Sequence, residues 1–122
     1  KVFVSSGGSK VTSNSYRQIT DGGSRDSSAD AYIKYSKWDD VGYAIAHYWG
    51  GPARISMRVF DPLDTTEETF IHLQANSYQS DTKIWVETAA IVYKENSAIS
   101  GITLGSSGTL GVCQGAIYGI KA

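Results

Sequence analysis

A period of two runs through much of this chain. In Arg54-Ile55-Ser56-Met57-Arg58-Val59 the apolar residues Ile55, Met57 and Val59 alternate with Arg54, Ser56 and Arg58, the pattern of a strand buried on one face. Residues 32–37 alternate in the same way, and so do residues 70–75, where Ile71, Leu73 and Ala75 are expected to point inward and His72 and Gln74 to sit on a solvated face. Two further segments are apolar on both faces and read as central strands covered from each side. In residues 42–49, Tyr43, Ile45, His47 and Trp49 oppose the small Ala44 and Ala46; in residues 83–93, Ile84, Val86, Ala90 and Val92 oppose Trp85, Ile91 and Tyr93.

Turn chemistry separates these runs. Gly7-Gly8, Asp21-Gly22-Gly23-Ser24, Gly50-Gly51-Pro52, Asp61-Pro62-Leu63-Asp64, Ser80-Asp81 and Gly105-Ser106-Ser107-Gly108 all read as turns, because Gly supplies positive φ and Asp or Ser hydrogen-bonds its own backbone. Asp64-Thr65-Thr66-Glu67-Glu68 has the flavour of a capping box, which leaves room for one helical turn and for no long amphipathic helix. Residues 1–122 therefore read as a single β domain of about seven to nine short strands. The expected architecture is an antiparallel β-sandwich, immunoglobulin-like or jelly-roll-like, with a partly closed β-barrel as the alternative. The last strand is expected within residues 110–120, where Gly111, Gly115 and Gly119 clear one face and leave a trough for a ring such as Trp85 or Tyr93.

Composition narrows the class of protein. Thirteen Gly and sixteen Ser among 122 residues are heavy for a helical domain, and eight Tyr, three Trp and three Phe are too many for a disordered chain. A formal charge of −1 supplies no general field for nucleic acid, so no nucleic-acid partner is expected, although Arg54, Arg58 and Phe60 make a short basic and aromatic strip. No apolar run approaches the length of a transmembrane segment. Cys113 is the single cysteine, which rules out an intramolecular disulfide and any cysteine-based metal cluster. The opening Lys1-Val2-Phe3-Val4 carries no basic-then-apolar leader, and the composition as a whole leans toward a secreted, processed product.

Candidate chemistry is sparse. His47 and His72 fall on separate strands without zinc-ligand spacing, and Cys113 between glycines has no neighbouring base to activate it. The acids Asp39, Asp40, Asp61, Asp64, Glu67 and Glu68 could place two carboxylates across a groove, as glycoside hydrolysis requires, which keeps a small hydrolase using these acids and His47 as a third reading. No cofactor is expected, with the exception that loop oxygens from Asp21, Asp26, Asp30 and the same acids could hold calcium. Rings offer the better lead. Trp38 beside Asp39 and Asp40, and Tyr48-Trp49 before a Gly-Gly-Pro turn, are the materials of a lectin-like sugar site: rings stack on the apolar face of a pyranose while carboxylates accept its hydroxyl hydrogens. A carbohydrate-binding domain is therefore the first expectation. The second is a protein-directed toxin, inhibitor or adhesion domain that contacts a cell-surface protein through Arg54, Arg58 and Phe60 together with Phe70 and His72. Either would act as a monomer or weak homo-oligomer and by binding rather than catalysis.

Overall fold

The computed structural model of the chain describes residues 1–26, 32–41, 53–80, 83–105 and 114–119, and the side chains of 1–23, 53–77, 84–105 and 114–119. Its described elements are eight strands: β1 Val2–Ser6, β2 Ser9–Lys10, β3 Tyr16–Asp26, β4 Tyr32–Val41, β5 Ala53–Val59, β6 Thr69–Ser80, β7 Lys83–Tyr93 and β8 Ile99–Leu104. They form two antiparallel sheets, one of order β2-β1-β8 and one of order β4-β3-β7-β6-β5, and the sheets do not close into a barrel. The arrangement is that of a β-sandwich.

Strand parity follows the chain as the alternation predicts. Ile71, Leu73 and Ala75 of β6 and Ala89, Ile91 and Tyr93 of β7 are buried, and they meet Val2 and Val4 of β1 and Ile99 of β8 in one core. Ile55, Met57 and Val59 pack against its margin. The two-residue turn Gly7-Gly8 joins β1 to β2 with φ of 55° and 80°. Two consecutive left-handed residues suit the twist of a tight hairpin and favour glycine at both positions.

Tyr16 ties the two sheets together. It starts β3 in the larger sheet, yet its hydroxyl accepts the Val4 N–H at 2.9 Å and donates to the Val11 carbonyl at 3.1 Å, so a strand of the smaller sheet hangs on it. Burial pushes the phenol above its ordinary pKa, which keeps the donating proton in place. Its ring lies 5.6 Å from that of Tyr93 in a tilted arrangement. At the other side of the sandwich the Ile99 N–H donates to the Pro62 carbonyl at 2.6 Å, anchoring β8 to the β5–β6 connection.

Two expectations fail. Asp21-Gly22-Gly23-Ser24 is no turn: it lies inside β3, paired with β4 on one side and β7 on the other. Glycine is there because a Cβ on Gly22 would sit 2.8 Å from the Val86 carbonyl oxygen, so the backbones approach too closely for a side chain. Residues 114–119 are irregular chain rather than strand, and no ring occupies a glycine trough there, since a Cβ on Gly115 or Gly119 would meet nothing within 4 Å. Tyr93 packs instead on Tyr16, and Trp85 is buried on the inner face of β7. The capping sequence at Asp64, which leaves room for at most one helical turn, makes a local turn with no helix. The Asp64 carboxylate accepts both the Thr66 N–H and the Thr66 hydroxyl at 2.7 Å, and it is this hydroxyl above all that holds its pKa below the ordinary aspartate value. The stabilisation is therefore present above the unfolded-state pKa and is lost as pH falls through the lowered one. In a carboxyl-detected NMR titration Asp64 should show a midpoint below that of a solvated aspartate, and Thr66→Val should move it back upward; an unmoved midpoint would remove the hydroxyl as the cause.

Candidate functional site

The outward positions of β3, β7, β6 and β5 form one continuous exposed face. Strand register sets its rows. Arg58 lies opposite His72, His72 opposite Ala90, and Ala90 opposite Ile19. The row beside it runs from Phe60, whose N–H donates to the Phe70 carbonyl at 2.9 Å, through Phe70 and Val92 to Arg17. On the other side Ser56, Gln74, Thr88 and Asp21 make a polar row, followed by Arg54, Asn76, Val86 and Gly23. Five partner-facing residues expected from sequence, Arg54, Arg58, Phe60, Phe70 and His72, thus come together on one surface, with His72 on the solvated face beside Gln74 as its alternation predicts.

This face is apolar at one end, where Phe60, 50% exposed, and Phe70, 57% exposed, adjoin Val92, Ala90 and Ile19, and the polar row separates this patch from the exposed Val86 and Ile84. The two-sided apolar pattern of residues 83–93 led to the expectation that β7 is covered on both faces. Its position is indeed central, but Ile84, Val86, Thr88 and Ala90 remain exposed, because the smaller sheet covers only the inner side. Charge is uneven as well. On the described side chains of these four strands the outward charged groups are Arg17, Arg54, Arg58 and the single carboxylate Asp21, in a chain whose net charge is −1. Ile19 escaped sequence reading because the glycines after it resemble a turn; the alternation Arg17-Gln18-Ile19-Thr20 was the available signal.

The remaining candidates are dispersed. Trp38, Asp39 and Asp40 fall near the end of β4, with Trp38 in register with Gln18, and their side chains lie outside those described. Tyr48, Trp49, His47, Asp30 and Cys113 lie outside the described residues. Asp21 and Asp26, read as loop oxygens for calcium, are paired strand positions in β3. Glu67 and Glu68 are exposed in the β5–β6 connection, and Asp64 is engaged by Thr66. Among the described residues no group of three His, Cys, Asp or Glu side chains comes together. Sequence reasoning overlooked one acid, Glu87, which is wholly buried on the inner face of β7 and accepts the Trp85 indole N–H at 3.2 Å. On the neighbouring strand β3 the Gln18 amide donates to the Thr20 hydroxyl at 2.7 Å, while the buried Ser77 hydroxyl, in register with Trp85, has no partner among the described residues. The indole bond holds Glu87 inside the sandwich.

Fold and face together define a β-sandwich with an exposed apolar sheet surface bordered by guanidinium groups. The chain matches no protein-family model, no curated protein and no solved structure. Among the described residues no helix is long and apolar enough to cross a membrane.

Proposed function

We propose that the protein is a secreted, non-catalytic binding domain that docks a partner protein on the outer face of its five-stranded sheet. The observation that carries this reading is the exposed pair Phe60 and Phe70, set side by side and continuous with Val92, Ala90 and Ile19. Exposed apolar area of this kind, contiguous rather than scattered, is characteristic of contact surfaces. Arg54 and Arg58 border it, and His72 adds a further donor, so the complementary partner presents apolar side chains flanked by carboxylates. Export is supported only by the Gly-, Ser- and Tyr-rich composition with a single Cys. The carbohydrate reading of Trp38, Asp39, Asp40, Tyr48 and Trp49 ranks second, since its side chains lie outside those described.

A displayed peptide library panned on the protein should yield ligands with large apolar residues next to Asp or Glu. Phe60→Ala and Phe70→Ala should each weaken them by roughly 2 kcal/mol, about thirtyfold. Ligands that bind these variants as tightly as the parent would overturn the assignment of the face. Quenching of tryptophan emission by soluble glycans, unchanged in both variants, would move the function to the Trp38 and Trp49 segments instead.

A further inference from the structure

We propose, resting on the outer-face reading above, that mild acid tightens docking on this face: protonated His72 and Arg58 together hold a carboxylate of the partner protein. Register sets the pair. His72 of β6 lies opposite Arg58 of β5, and both side chains are exposed on the outer face. Directly opposed residues on one face stand about 5 Å apart at Cβ, near enough for one carboxylate to reach both. The exposed Phe70 is two residues from His72 on the same face of β6, about 7 Å away. A partner that covers this phenylalanine therefore reaches the imidazole as well.

Among the described residues no acid is placed to answer these two groups. The other described outward side chains of β6 and β7 are uncharged, and β5 adds a second guanidinium, Arg54. Beyond β7, strand β3 presents Arg17 and the carboxylate of Asp21. Asp21 pairs with Thr88, one row away from His72 and with the whole of β7 between them. Glu67 and Glu68 are exposed before β6 begins, and Phe70 stands between Glu68 and His72 along the chain. A carboxylate that engages Arg58 and His72 at once therefore comes with the partner.

Histidine is the side chain that ordinarily changes charge between about pH 5 and 8, and His72 is the single imidazole among the described residues. The partner's carboxylates stay ionised throughout that range, since Asp and Glu ordinarily titrate near pH 4. With the imidazole neutral, such a carboxylate meets one cation; with it protonated, the carboxylate accepts charge-assisted hydrogen bonds from two. The complex then holds more protons than the separate molecules, and by linkage its affinity rises as pH falls. The gain is that of one further ion pair at a partly covered surface, about fivefold in Kd.

Histidine-free peptides displayed as a library and panned on the full chain at about pH 5.5 supply the probe. Titration calorimetry at constant ionic strength should show the selected peptides binding about fivefold more tightly near pH 5.5 than near pH 7.5, with proton uptake on binding when buffers of different ionisation enthalpy are compared. His72→Gln should bring the ratio between the two pH values to about one and abolish the uptake. His72→Lys, which keeps a cation opposite Arg58 at both pH values, should remove the ratio in the same way. An affinity that is flat or weaker in acid, or a ratio that persists in these variants, would overturn the regulation; if Phe70→Ala still weakens the same peptides, the outer-face reading stands without it. Peptides that bind Phe70→Ala as tightly as the parent overturn that reading, and a library that yields no ligand overturns both.

Discussion

Replacing Leu73 by Ala should lower the free energy of unfolding by about 3–4 kcal/mol in urea titrations, while Phe70→Ala, three residues earlier on the same strand, should change it by less than about 1 kcal/mol. Leu73 is fully buried in the middle of β6, in register with Met57 on one side and Ala89 on the other, beneath the β1 and β8 side chains of the core. Truncation removes its transfer free energy and leaves a cavity in a sheet whose hydrogen bonds resist collapse. Phe70 projects from the opposite face and is already more than half exposed. The ratio between the two losses therefore reports which face is inside. Equal losses would mean that the outer face is covered in the isolated chain, and the docking proposal would lose its surface.

Gly22→Val should be nearly as damaging, with a loss of about 2–3 kcal/mol and a melting temperature lowered by roughly 10 °C. The added Cβ would lie 2.8 Å from the Val86 carbonyl oxygen and 3.3 Å from the Glu87 Cα, both backbone atoms that cannot swing aside. Relief requires β3 and β7 to separate at the centre of the sheet, next to the Trp85–Glu87 pair. Gly115→Ala is the matched control: its Cβ would meet nothing within 4 Å, and it should be silent in thermal melts. A tolerated valine at position 22 would show that the two strands do not approach as described.

Much of the fold was legible because an alternating strand writes its burial pattern directly into the chain. Residues 54–59 and 70–75 take the faces that their alternation implies, whereas residues 83–93, apolar on both sides, are covered on the inner side alone. Where legibility failed, one local signal had two physical causes. Gly22 and Gly23 look like a turn because glycine tolerates positive φ, yet Gly22 is needed for the close approach of a neighbouring backbone, which is not a local property. The glycine-spaced run ending at residue 120 looks like a strand, but a strand exists only if another accepts its hydrogen bonds, and 114–119 have no such partner among the described residues. Glu87 has no local signal for its burial, which rests on the indole of Trp85 meeting it on the inner face.

The site divides in the same way. Arg54, Arg58 and Phe60 could be placed on one face from sequence alone, as could Phe70 with His72, since parity within a strand is a local matter. That the two sets are neighbours depends on β5 pairing with β6 in the register Arg58↔His72. Their continuation into Ala90 and Ile19 depends on β7 lying between β6 and β3. By itself, then, the sequence determined the fold class, the strand faces and the absence of an internal disulfide, all of which follow from side-chain chemistry at known spacing. Only the tertiary structure decided which apolar face is covered. Two sheets can bury just the surfaces that meet, and the smaller sheet lies against one side of the larger, leaving Phe60, Phe70 and their neighbours in solvent.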